Sequence, residues 1–237
     1  MQKILNQVYK AVEQYELIAF KDKIAIGLSG GKDSLVLLYI LAKYRDYIDS
    51  SINLTAITID IGFGNFEELL NLKLICEQLK VDFKIERTYI AKIVFNIRKE
   101  RNPCSLCARM RRGVLHDTAK LQGCNKLALG HHLDDVIETY MLNLFNEGRI
   151  ATFAPKTYLS RKDIYLIRPL VYVEEQDIKR AISKMQLNVL KNPCPNNKIS
   201  ARAEMKTYLA NLEKANKGVK NRIFGAICRA NISGFRV

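Results

Sequence analysis

Six consecutive residues, Ser29, Gly30, Gly31, Lys32, Asp33 and Ser34, bring together the groups that a phosphate requires. The two glycines let the backbone bend and approach an anion closely, the serines offer hydroxyls, and Lys32 carries a positive charge. Apolar residues stand on both sides, at 24–28 and 35–41, so the string reads as a strand-to-helix turn. The N–H groups that open the helix then point a positive dipole end at the same anion. The spacing is neither that of the Walker A loop nor that of the three-glycine dinucleotide turn. A second group, Gly130, His131, His132, Leu133, Asp134 and Asp135, follows the short run 126–129. Cys104 and Cys107 form a C-x-x-C pair, a spacing that grips one metal centre and fits zinc, an iron-sulfur cluster or a redox disulfide. Cys194 lies between Pro193 and Pro195, which excludes it from a helix and places it on a rigid loop, the usual site of a ligand or reactive group.

These residues need a scaffold, and the hydrophobic pattern supplies one. Residues 1–20 read as an amphipathic helix with Ile4, Val8, Val12 and Leu17 on one side, a lid or packing arm. Strands are expected at 23–28, 54–59, 83–88 and 126–129, with helices at 34–44, 66–79 and 104–122. Alternation of this kind gives a parallel sheet covered by helices on both faces, and ligands bind at the carboxyl ends of its strands. Both motifs directly follow strands, so both are expected on one rim. After Pro169 the composition shifts, and Glu174 to Asp177 open a helix with acids in its first turn. Cys76 shares a helical face with Leu69 and Leu72 and is read as core, as are Cys124 and Cys228. Asp134 and Glu138 are read as facing solvent, and His131 and His132 as serving turn geometry or nucleotide contact rather than a metal.

The 237 residues suit one α/β domain with an appendage. Six cysteines in a chain read as cytosolic argue against a disulfide framework. No apolar run approaches the roughly 20 residues of a membrane span, and the first residues lack the apolar core of a secretory signal. Lys and Arg number 38 against 24 Asp and Glu, a net charge of +14 that points to a polyanionic partner. The excess concentrates at Arg98, Lys99, Arg101, Arg109, Arg111 and Arg112, around the cysteine pair, and again from Lys214 to Arg236.

Taken in order, Ser29 to Ser34, Pro103 to Gly113, Gly130 to Thr139, Ile167 to Leu170 and Pro193-Cys194 resemble the tRNA 2-thiocytidine synthetase family of the ATP pyrophosphatase (PP-loop) superfamily, over roughly residues 20–210. The resemblance implies an α/β fold with a parallel five-stranded sheet flanked by helices, of the adenine nucleotide alpha hydrolase type. It divides the chain into an N-terminal helix (1–20), an ATP-binding domain carrying the C-x-x-C insertion (21–170) and a small helical C-terminal extension (171–237). It implies an ATP-dependent tRNA thiolation enzyme that acts on cytidine at tRNA position 32. Ser29, Gly30, Gly31, Lys32, Asp33, Ser34, Asp60, Gly130 and His131 would bind ATP, and Lys32, Asp33 and Asp135 would be catalytic, with Mg2+. Cys104, Cys107 and Cys194 would hold a [4Fe-4S] cluster, and Arg109, Arg111 and Arg112 would contact tRNA. A sulfur donor system such as a cysteine desulfurase is implied as a partner, and a homodimer would be unsurprising in this superfamily. Three readings stay open beside it: a tRNA 2-thiouridine synthetase of the same superfamily, a PP-loop amidotransferase or ligase with a structural zinc, and a nucleic-acid-binding zinc protein.

Overall fold

Ile24, Ala25 and Ile26 alternate across a strand, β1 (Lys23–Gly27), and all three are fully buried, so this strand is covered on both faces. In a computed structural model that describes residues 1–63, 66–98, 103–190 and 201–236, β1 lies inside a six-stranded sheet. The other strands are β2 (Asn53–Asp60), β3 (Asp82–Arg87), β4 (Lys126–Ala128), β5 (Lys156–Leu159) and β6 (Ile164–Ile167), in the order β3-β2-β1-β4-β6-β5. Five of them run parallel, as the resemblance implies; β5 adds an antiparallel edge to β6. That hairpin escapes sequence reading because each strand has only four residues, too few for a periodic signal.

Helices α1 (Gln2–Tyr15), α2 (Lys32–Tyr47), α3 (Phe66–Gln78), α4 (Pro103–Leu121), α5 (Leu133–Glu147), α6 (Glu175–Met185), α7 (Ala201–Ala215) and α8 (Val219–Arg229) complete the described fold, with a π-helical turn at Lys92–Arg98. The apolar run after the first motif makes α2 the central helix: Leu35, Val36, Leu37, Leu38, Ile40 and Leu41 are all fully buried. They join Ile24, Ile26 and Leu28 in a core that also takes side chains from α1, α5, α6, α7 and α8. The opposite face of the sheet, with Ala25, Ile57 and Leu127, packs against Ala119 and Leu115 of α4. Helix α1 is thus a packing arm, burying Ile4, Val8 and Val12. Its end is clasped to residues far along the chain: the Tyr15 and Tyr172 hydroxyls are 2.6 Å apart, and Gln14 Nε2 donates to the Arg236 carbonyl at 2.6 Å. Cys76, Cys124 and Cys228 are buried, as expected of core thiols.

The strand order reverses at β1, whose neighbours β2 and β4 lead away in opposite directions. A crevice opens at such a switch point, outside the carboxyl ends of the strands. The loop after β1 is Ser29 to Gly31, and the loop after β4 leads through Gly130 to His132, so the two motifs face each other across that crevice.

Candidate active site

The loop from Ser29 to Ser34 is held by its own hydroxyls. Ser34 Oγ donates to the Gly31 carbonyl at 2.9 Å and lies 3.1 Å from Ser29 Oγ, while the Gly31 N–H donates to Ser29 Oγ at 3.3 Å. Gly31 precedes α2 as its N-cap with no side-chain cap, which leaves the first N–H groups of the helix available to an anion. Gly30 has φ +77°, a left-handed conformation, and a Cβ built there would stand 2.4 Å from Leu190 Cδ1. The Leu190 N–H also donates to the Gly30 carbonyl at 3.0 Å. A Cβ on Gly130 would come within 3.0 Å of the Asp33 carbonyl, so only glycine lets the two loops touch.

Between these loops lies a cleft of about 430 Å³ lined by Ser29, Asp33, Ser34, Gly130, His131 and Asp135 on one side and by Ala108, Arg111, Arg112 and Leu115 on the other. The second wall is one stripe of α4, because residues three and four apart share a helical face. Cys104 and Cys107 stand one turn before Ala108 and Arg111, so the thiol pair continues that wall outward. Cys104 is exposed, and Cys107 is buried against Ile90 and Val94 beside the π-helical turn. Cys194 lies outside the described residues, as do Lys99 and Arg101; among the described residues no group of three Cys, His, Asp or Glu side chains is arranged to hold a metal ion.

The other anticipated residues fall in three places. Lys32 Nζ reaches both Asp33 oxygens at 2.8 Å and Glu175 Oε1 at 3.1 Å. Burial works against its charge, but the hydrogen bonds and charges of Asp33 and Glu175 outweigh burial and raise its pKa. Asp60 ends β2, accepts the Gly62 N–H at 2.9 Å and is not part of the cleft wall. Arg109 is exposed and likewise off that wall, whereas Arg111 and Arg112 belong to it.

The histidine pair splits. His131 lines the cleft, packs in a tilted arrangement on Phe153 with ring centroids 4.9 Å apart and is held neutral, its pKa pushed down to about 4 by burial and by Arg168, which lies over the Phe153 ring. His132 is buried, with Nε2 3.6 Å from Asp33 Oδ1 and 3.5 Å from Asp135 Oδ2. Its own N–H donates to Asp135 at 3.0 Å and opens α5.

Asp134 and Glu138 are buried, against the expectation that they face solvent. The C-terminal helices cover that face of α5: Lys220 donates to Asp134 at 2.7 Å, the Glu175 N–H donates to Asp134 at 2.7 Å, and Arg202 lies 3.4 Å from Glu138. Burial, and then the neighbouring Asp135, push the Glu138 carboxyl up to about 7. A folded state that prefers the protonated acid is favoured below the ordinary carboxylate pKa, and that contribution is lost as pH rises through about 7. Glu138→Gln keeps the neutral form at every pH. It is expected to match the parent in urea unfolding at pH 4 and to exceed it at pH 8 by on the order of 2–3 kcal/mol. Parallel stability curves for the two proteins would contradict a protonated Glu138.

Residues 1–212 match the family model of the PP-loop domain. Along 231 residues, 95% of this chain and 88% of the relative, the chain is 40% identical to a tRNA-cytidine(32) 2-sulfurtransferase of Geobacter sulfurreducens. The chain belongs to the PP-loop family, in its tRNA-cytidine(32) 2-sulfurtransferase branch. A second member, from Geobacter metallireducens, is 39% identical and is covered to 88% of its length. Among solved structures, the U34-tRNA thiolase NcsA of Methanococcus maripaludis, determined with its [4Fe-4S] cluster, superposes with a TM-score of 0.80 at 31% identity, covering 97% of this chain and 78% of that one. An NH3-dependent NAD synthetase of Campylobacter jejuni, at 17% identity and a TM-score of 0.52, shares the fold. The loop from Ser29 to Ser34 stands at the switch point of the sheet in this PP-loop domain.

Proposed function

We propose that this chain is an ATP-dependent tRNA sulfurtransferase, which activates the 2-carbonyl oxygen of a pyrimidine as an adenylate and exchanges that oxygen for sulfur. Cytidine 32 is the base assigned, in keeping with the curated relatives. One observation carries the reading: a single stripe of α4 runs from the thiol pair Cys104 and Cys107 into the cleft that the PP-loop opens. A ligase or amidotransferase would need no thiols there, and a structural zinc would have no reason to share a wall with the nucleotide loop.

The chain's own residues divide the work. N–H groups of the first turn of α2 and the hydroxyls of Ser29 and Ser34 bind the ATP phosphates. Lys32 offsets the charge that develops on the departing diphosphate, and Mg2+, when bound, would add its charge to the same end. Asp33 and Asp135, converging on His132, are the acids that steady the metal or take a proton. Arg111 and Arg112, on the opposite wall, bring positive charge to the mouth of the cleft, where tRNA phosphates approach; Arg109 extends that surface. A target base in a loop can unstack and enter such a cleft.

Cys104 and Cys107 fit a metal centre, being one turn apart on a common face with one thiol open to the surface and the other backed by apolar side chains. With Cys194 they would give three thiolates to a [4Fe-4S] cluster, which leaves one iron without a protein ligand and, when bound, supplies sulfur to the activated ring carbon. Sulfur then comes from a donor system such as a cysteine desulfurase, in the reducing cytoplasm. Similarity to NcsA favours uridine as a second reading of the target base.

The test is anaerobic purification followed by iron, sulfide and zinc analysis, then incubation with tRNA, ATP and a sulfide source and mass analysis of the nucleosides. About four irons and four sulfides per chain, with 2-thiocytidine formed and diphosphate released, are expected. One zinc without sulfide would overturn the cluster, and 2-thiouridine would move the target to the second reading.

A further inference from the structure

Glu175, the first residue of α6, is nearly buried and gathers three lysines: Lys206 at 2.6 Å on Oε1, Lys32 at 3.1 Å on the same oxygen, and Lys179 at 3.1 Å on Oε2. Its backbone is fixed as well, because its N–H donates to Asp134 Oδ2 at 2.7 Å while Lys220 of α8 holds Asp134 Oδ1 at 2.7 Å. Lys32 comes from the PP-loop and Lys206 from α7, both on the carboxylate, and Asp134 of α5 holds the backbone N–H, so three parts of the fold meet on one residue. We propose that Glu175 is a positioning residue that fixes the Lys32 ammonium beside the phosphate loop, next to Asp33 of the cleft wall, with Lys206 of α7 as its counter-charge. The C-terminal helices thereby complete the nucleotide site from behind.

The arrangement has the chemistry this role asks for. An ammonium carries three donors on a flexible four-carbon stem, so a lysine aimed at a phosphate needs something to stop it wandering. Asp33 is open enough to turn toward a bound cation, whereas Glu175 is locked by its backbone and by two further lysines. A single carboxylate facing Lys32 alone would cancel its charge. With Lys206 and Lys179 also present, the group of three lysines and Glu175 keeps a net positive charge beside the loop. Burial disfavours the Glu175 carboxylate, but the lysines win and hold its pKa well below the usual range.

This inference rests on the ATP-dependent reading above, and its test separates the two. Glu175→Gln, of nearly the same shape, is compared with the parent in steady-state diphosphate release over a range of ATP concentrations. The expected result is a fall in kcat of about 10–100-fold with KM for ATP changed less than about threefold, the mark of lost orientation rather than lost binding. In a Lys32→Ala background the same change is expected to cost less than about twofold, because Glu175 acts through Lys32. Trace acylation followed by peptide mass analysis gives a second readout without turnover: Lys32 is expected to be labelled several-fold faster in Glu175→Gln, and exposed Lys21 equally in both proteins. Losses that multiply in both backgrounds, an unchanged kcat, or an unchanged labelling of Lys32 would each overturn the proposal. Should Glu175→Gln fail to fold, Glu175→Asp, which withdraws the carboxylate by one methylene, is expected to show the same kinetic split and labelling. A parent that labels as expected but releases no diphosphate with tRNA present would sink the thiolation reading and leave the hold on Lys32 standing.

Discussion

Replacing Lys32 by alanine is expected to lower ATP-dependent thiolation by about 10²–10³-fold, the loss typical of one preorganised group that stabilises developing charge. The fold is expected to survive. Glu175 keeps Lys206 and Lys179 as partners, and Asp33 is open enough for water to take over the lost contact. The stability change is therefore expected to stay within about 1 kcal/mol, the range of partly exposed ion pairs. Iron and sulfide content are expected to match the parent, since Lys32 opens α2 and the thiol pair lies on α4. The comparison needs three assays on one preparation: nucleoside analysis, urea unfolding and metal analysis. A loss of activity below about tenfold would remove Lys32 from the chemistry. A parallel loss of iron would show that the substitution acts through the whole fold.

The converse change falls on the thiols. Cys104→Ala, Cys107→Ala and Cys194→Ala are each expected to bring thiolation to background and to leave iron well below four per chain. A cluster held by three thiolates loses a full share of its protein bonds with each one. ATP affinity is expected to stay within about twofold, because the phosphate contacts come from the PP-loop and not from α4. Cys107 needs a control that Cys104 does not. It is packed against Ile90 and Val94, so alanine there leaves a small void and is expected to cost about 1 kcal/mol. Cys104 is exposed, and its removal is expected to change stability hardly at all. A Cys194→Ala protein with normal iron, sulfide and thiolation would rule out the three-cysteine centre.

Much of the site is legible from residues alone because its parts are local. The PP-loop announces itself by glycines and serines between two apolar runs, and the C-x-x-C pair by spacing. The rim on which the first and the His131-Asp135 motifs meet follows from parallel topology. Other features are not local. Glu175 looks like any acid in the first turn of a helix, which is favoured there by the helix dipole. Its partners Lys206 and Lys32 lie 31 and 143 residues away, and no periodicity links them. Asp134 and Glu138 read as solvent-facing for the same reason: their cover comes from α7, α8 and the first residue of α6, whose approach to α5 leaves no mark within α5 itself. Arg111 and Arg112 stand out as basic residues, but their place on the cleft wall depends on which face α4 turns to the sheet. That choice is made by Leu115 and Ala119 packing against β1, β2 and β4.

The clasp between the end of α1 and the residues around Arg236 bears on how the molecule is made. Gln14 and Arg236 are 222 residues apart, so their contact is among the most non-local in the chain. At ordinary elongation rates of about 5–20 residues per second, tens of seconds separate the emergence of one partner from that of the other. During that interval α1 can dock on α2, which follows it closely, but the clasp at Gln14 and Tyr15 has nothing to close on. Closure then waits until Arg236 has left the ribosome, long after α1 has formed, so the clasp is made late relative to the helix it holds.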